Sequence, residues 1–106
     1  MDQNIRSELL EEFNLRKQKD LRYSLRTFAK DLGMSAPFLT QILNGRRKIS
    51  LERGFEISKK IYADKAKQSQ FILIILKSNS ESAELKNVIQ DLMDSKSDKL
   101  YASASE

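Results

Sequence analysis

The chain has 106 residues, of which 40% are hydrophobic and 32% charged; its net charge is +4, and it contains neither cysteine nor histidine. A chain of this length holds one modest core, and without thiols or imidazoles it cannot build disulfides, thiolate nucleophiles, imidazole bases or structural zinc by itself. Three glycines and one proline favour helices over strands, and no apolar run reaches the roughly 18 residues that span a bilayer.

Read in chain order, the N-terminus lacks the apolar stretch of a secretion signal, which with the missing cysteines suggests a cytoplasmic protein. A first helix is predicted over about residues 3–18, with Ile5, Leu9, Leu10 and Phe13 inward. Its acids Glu8, Glu11 and Glu12 precede its cations Arg16, Lys17 and Lys19, in the sense that suits the helix dipole. Ser24 caps a second helix near 25–32, with Phe28, Ala29 and Leu32 on one face. Gly33 turns the chain, Met34 plugs the gap beneath the turn, and Ser35 caps a third helix near 36–44 with Pro37 in its first turn.

The third helix turns Phe38, Leu39, Ile42 and Leu43 inward, which leaves Ala36, Pro37, Thr40, Gln41 and Asn44 outward with no acid among them. An acid there would repel phosphate. Gln41 can donate and accept together, the chemistry that reads adenine at a major-groove edge. Ser35, Thr40 and Asn44 can bond phosphate oxygens. Gly45 ends the helix, and Arg46, Arg47 and Lys48 follow in a basic loop suited to phosphate contact. Arg26 and Lys30 on the second helix are further candidates for the same role.

A fourth helix, capped by Ser50, is predicted over about 51–62 with Leu51, Phe55, Ile57 and Ile61 mostly inward. The run Phe71-Ile72-Leu73-Ile74-Ile75-Leu76 has the β-branched content of a strand, but its helical neighbours argue for a fifth helix near 65–78. A helix apolar all round is covered on all sides. Phe71, Ile72, Ile75 and Leu76 are therefore expected to meet a second chain, the alternative being a pure core helix. A sixth, amphipathic helix over about 81–95 carries Leu85, Val88, Ile89, Leu92 and Met93 at helical spacing. Its stripe, with Leu85, Val88, Ile89 and Leu92 as the candidate oligomer contacts, suits packing on the fifth helix or pairing with a partner. Residues 96–106 read as a flexible tail. The expected organisation is a DNA-binding domain over 1–78, the amphipathic helix over 79–95 and the tail.

Charge is concentrated where the helix pair lies. Residues 15–60 hold 12 Lys and Arg against 4 Asp and Glu, residues 1–14 hold 1 against 4, and residues 61–106 hold 6 against 7. A basic stripe beside such a helix pair is the electrostatic footprint of duplex binding.

The stretch Gly33-Met34-Ser35-Ala36-Pro37-Phe38-Leu39-Thr40-Gln41-Ile42-Leu43-Asn44-Gly45 resembles the turn and recognition helix of the Cro/repressor-type (XRE) helix-turn-helix family, and Tyr23 to Gly33 is similar to that family's second helix. Ser24 to Ser50 is also similar to the N-terminal part of a family of longer, uncharacterised bacterial regulators. The resemblance, covering about residues 3–77, implies an all-α, lambda-repressor-like bundle of about five helices, here with an added C-terminal amphipathic helix, that binds operator-like DNA as a dimer. The chain has Leu25 where that family usually has glutamine, Ala36 where it often has a polar or basic residue, and Leu43 where it often has an acid.

The resulting expectation is a dimeric, sequence-specific regulator of transcription, repressor-like, with its third helix in the major groove of double-stranded DNA. The rival reading is a protein-interaction or antitoxin-like module on the same scaffold, favoured by Leu25, Ala36 and the apolar run, with a protein partner at the C-terminal helices. No paired acids or glycine-rich phosphate loop suggest an enzyme, and no cofactor, metal or membrane association is expected.

Overall fold

A computed structural model describes residues 4–104, with side chains as far as residue 95. The described chain is all helical: α1 (Ile5–Lys19), α2 (Leu25–Asp31), α3 (Ala36–Leu43), α4 (Leu51–Ile61), α5 (Lys65–Asn79) and α6 (Ala83–Ala104). Short polar side chains start the first five. Asn4 and Ser7 exchange bonds with each other's backbone N–H at the head of α1, at 2.8 and 3.2 Å. Ser24, Ser35 and Ser50 accept from Thr27, Phe38 and Arg53 N–H, and Asp64 accepts from Ala66 N–H. Each bond satisfies an amide that has no partner within its helix.

The core joins Leu9, Phe28, Ala29, Leu39, Ile49, Ile57, Phe71 and Ile75, all at most 1% exposed. Phe13, Tyr23 and Phe28 form a tilted aromatic trio with centroids 5.7–6.3 Å apart that fixes α2 on α1. Beside it, Arg16 ties three helices together. It bonds Glu12 at 2.8 Å within α1, Asp31 at 3.3 Å at the end of α2, and the Lys60 carbonyl at 3.1 Å in the last turn of α4. That carbonyl is one of the acceptors a helix end leaves unpaired.

The inward face of α4 differs from the sequence expectation. Leu51 and Phe55 stay 41% and 47% exposed, while Gly54, Ile57 and Ser58 are buried and Ile61 is half-buried. The buried set recurs at i, i+3, i+4 and i+7, so the helix is rotated from its most hydrophobic face. The reason is the close approach of α5: a Cβ at Gly54 would overlap the Ile75 Cδ1. The Ser58 hydroxyl is satisfied locally by donating to the Phe55 carbonyl at 2.7 Å.

The expected oligomer contacts divide. Phe71, Ile75 and Ile89 are buried in the chain's own core, where Ile74 and Met93 join them. They are not available to a second chain, because α6 packs along α5 and covers much of the apolar run. Ile72 and Leu76 are half-buried, whereas Leu85, Val88 and Leu92 point away from the core at 48%, 50% and 53% exposed. The helix itself continues to Ala104, through residues expected to form a tail. The stretch from 83 to 104 has neither glycine nor proline to stop it.

Tyr62 closes the seam between α1 and α4. Its hydroxyl donates to Glu8 at 2.7 Å, and its ring meets Phe71 edge-on. Burial, then the bond to Glu8, raises its pKa well above the ordinary tyrosine value. Tyr23, desolvated and donating to Asp31 at 2.6 Å, shifts the same way. In the unfolded chain both phenols ionise at about pH 10. Their contribution to stability is complete below that pH and is lost as pH rises beyond it. Denaturant unfolding from pH 7 to 11.5 is expected to show stability falling only on the alkaline side of about 10, with Tyr62→Phe flattening the fall; an unchanged slope in that variant would contradict the assignment.

Candidate nucleic-acid interface

Two glycines shape the segment that carries α3. Gly33 and Gly45 adopt φ of +78° and +75°, which glycine reaches without steric cost. After α2, Met34 N–H donates to the Ala29 carbonyl at 3.0 Å and Gly33 N–H to Lys30 at 3.0 Å. After α3, Arg46 N–H donates to the Gln41 carbonyl at 2.8 Å and Gly45 N–H to Ile42 at 3.1 Å. Both are six-residue closures that satisfy the last carbonyls of a helix and aim the following chain.

Leu39, Ile42 and Leu43 are buried, and Phe38 is half-buried against the core. The opposite side of α3 presents Pro37, Thr40, Gln41 and Asn44 to solvent. Ala36 was expected outward and is instead half-buried, packed against the core beside the turn. Ser35 is exposed while its oxygen caps Phe38 N–H at 3.2 Å, leaving its own proton free for an anion. Thr40 is less versatile than expected. Its hydroxyl donates to the Ala36 carbonyl at 3.0 Å, so towards an outside group it offers lone pairs and a methyl. Asn44 has no side-chain partner among the described residues.

The basic loop is held at both ends. The turn at Gly45 fixes its start. At its finish Ile49 is 1% exposed and its carbonyl accepts from Asn79 Nδ2 at 2.8 Å. Between these anchors the side chains of Arg46 and Lys48 are exposed and make no hydrogen bond or ion pair among the described residues. Arg47 folds back instead. Its Nε donates to Gln41 Oε1 at 3.0 Å, and its guanidinium lies 5.1 Å from the Phe38 ring centroid. Arg53 of α4, which the sequence reading passed over, lies 4.8 Å from the same centroid.

The exposed side of α3 lies between two cation-lined grooves. One is lined by Arg26, Lys30, Ser35 and Pro37. The other, at the far end of the helix, is lined by Asn44, Arg47, Lys48 and Arg6. Arg6 is a second residue that the sequence reading missed; only the fold brings the start of α1 beside the end of α3. No acid occurs anywhere from residue 32 to 51, and Asp31 just before is engaged by Arg16 and Tyr23. Glu8, Glu11 and Glu12 line a separate pocket with Tyr62 and Phe71. Cations here can neutralise phosphates on either side of a helix whose own face offers amide and hydroxyl groups, the division of labour between backbone positioning and base readout.

Among the described residues, no group of three or more acidic or other ligating side chains could hold a metal ion, and no helix is long and apolar enough to cross a membrane. Residues 14–61, from the end of α1 through α4, match the family model described as helix-turn-helix. Neither a curated protein nor a solved structure matches the chain.

Proposed function

We propose, from the match of residues 14–61 to the helix-turn-helix family model and from their resemblance to Cro/repressor-type proteins, that the chain is a dimeric, sequence-specific regulator of transcription that lays α3 in the major groove and acts as a repressor. The observation that carries this reading is the acid-free outer side of α3, flanked at both ends by cation-lined grooves. A helix fits the major groove, about 12 Å wide, when the cations beside it can reach the phosphates that border it. Ser35, Arg26, Arg46 and Lys48 serve as phosphate contacts in this reading, Gln41 and Asn44 reach base edges, and Pro37 and the Thr40 methyl supply apolar contact.

Dimerisation is supported by the stripe Leu85, Val88 and Leu92, three large apolar side chains about half exposed on one side of α6. Recurring at i, i+3 and i+7, they form a seam that a second copy can cover. Two copies related by a two-fold axis would present two α3 helices to a site of palindromic form. Light scattering and mobility shift on the same samples test both parts. The wild type is expected to have the mass of a dimer and to bind duplex. A variant with Leu85, Val88 and Leu92 all changed to serine is expected to have the mass of a monomer and to bind far more weakly. A wild type that binds duplex with the mass of a monomer would reject the dimer, and a protein that ignores duplex at low salt would reject the regulator.

A further inference from the structure

Three cations follow α3, yet only one of them returns to it. Arg46 and Lys48 have no side-chain anchor among the described residues, whereas Arg47 is held on two sides: its Nε by Gln41 Oε1 at 3.0 Å and its guanidinium face by the Phe38 ring at 5.1 Å. Phe38 is itself half-buried against the core, and the backbone that delivers Arg47 is fixed by the Arg46 to Gln41 bond at 2.8 Å. Gln41 lies between Pro37 and Asn44 on the exposed side of α3, four residues from one and three from the other. A guanidinium bonded to it therefore sits on the reading face of the helix and not out along the loop.

We propose that Arg47 is a specificity-determining residue that reads guanine in the major groove, with Gln41 as its positioning residue. The inference rests on the reading that α3 enters that groove. With Nε engaged, Arg47 still has both terminal nitrogens, a planar fork of donors that matches the O6 and N7 acceptors of guanine. Gln41 still has its Nε2 protons, so the pair as built presents donors. Adenine fits this surface poorly. Its recognition by glutamine needs Oε1 to accept from the adenine N6 amino group, but that oxygen already accepts from Arg47, and the amino group would face a guanidinium donor to donor. The structure thus replaces the adenine preference expected of Gln41 alone with a guanine preference belonging to the pair. Stacking on an aromatic ring and a bond to a neighbour also reduce the side-chain freedom that an arginine loses on binding.

Selection of bound duplexes from a random pool, using the full chain, tests this with Arg47→Ala, Arg47→Lys, Gln41→Ala and, as the matched control, Arg46→Ala. The wild type is expected to enrich a site with guanine at one fixed position. Both Arg47 variants lose that preference, by roughly 5- to 150-fold in relative affinity over the other bases, because lysine lacks the planar fork. Gln41→Ala weakens the same guanine preference. Arg46→Ala keeps the guanine and binds every duplex more weakly. If Arg47→Ala instead kept the wild-type preferences and weakened all duplexes alike, Arg47 would be a phosphate contact; the proposal would fail while the DNA-binding reading stood. An enriched site whose one Gln41-dependent base is adenine would overturn it in the same way. A wild type that enriches no sequence would overturn both the proposal and the reading beneath it.

Discussion

Gly54→Val is expected to destabilise the fold by about 3 kcal/mol, the upper end for overpacking a filled core, out of a total on the order of 5–15 kcal/mol for a domain of this kind. The position is in the interior of an exposed-looking helix, where sequence propensity predicts the opposite. Replacing glycine by alanine in a helix usually gains about 1 kcal/mol. At Gly54 the added carbon would overlap the Cδ1 of Ile75 and approach Ile49 Cγ2 to 3.7 Å. Ile75 is fully buried and Ile49 nearly so, so neither can swing into solvent to make room. Gly54→Ala should therefore lose about 1 kcal/mol net despite its propensity gain, and the valine, with two further methyl groups, considerably more. Denaturant unfolding monitored by circular dichroism measures both. A stabilised Gly54→Ala would show that α4 and α5 can part at no cost and that the observed face of α4 is not enforced by packing.

That same face marks the boundary of what could be read from the residues. The helix starts at Ser24, Ser35 and Ser50 and the turns at Gly33 and Gly45 were legible because each is a local event: an oxygen within reach of an amide three residues on, or a backbone angle that glycine adopts freely. The inward side of α3 was legible for a similar reason, since four apolar residues at helical spacing leave a polar remainder. The inward side of α4 was not. Gly54 and Ser58 carry no hydrophobic signal, and their burial follows from how closely α5 approaches. The apolar run in α5 was legible as a helix, but much of it is covered by the chain's own α6, with Ile89 and Met93 inward, where the pattern favoured a second chain. Arg47 was visible as a cation and not as a tethered one, because its tether joins a loop to Phe38 and Gln41 through a turn whose exact course no spacing rule gives. Arg6 is the plainest case: it comes beside Asn44 and Lys48 through tertiary structure alone.

The second large effect expected is on binding. The double variant Arg46→Ala/Lys48→Ala should lower duplex affinity roughly 60-fold at 0.1 M salt and reduce the slope of log K against log salt by about two units, since each neutralised phosphate contributes about 0.9. Both side chains are exposed and free of partners among the described residues, so the fold should not change with them. The loss should be the same for every duplex sequence, because phosphate contacts position the protein without reading bases. Titrations over a salt series, on an enriched and an unrelated duplex, give both slopes. If the slope stayed at the wild-type value, the loop would lie away from the backbone and the docking of α3 would have to be redrawn.

The outer side of α3, with the loop that follows it, is the surface we propose a duplex touches. Amide chemical-shift mapping of the labelled chain against an enriched duplex tests it most directly. Perturbations are expected to concentrate at residues 35–48, with Arg6, Arg26 and Lys30 at the margins and little change along the Glu8–Glu12 side of α1. Perturbations centred on that acidic side, with Gln41 and Asn44 unmoved, would contradict it.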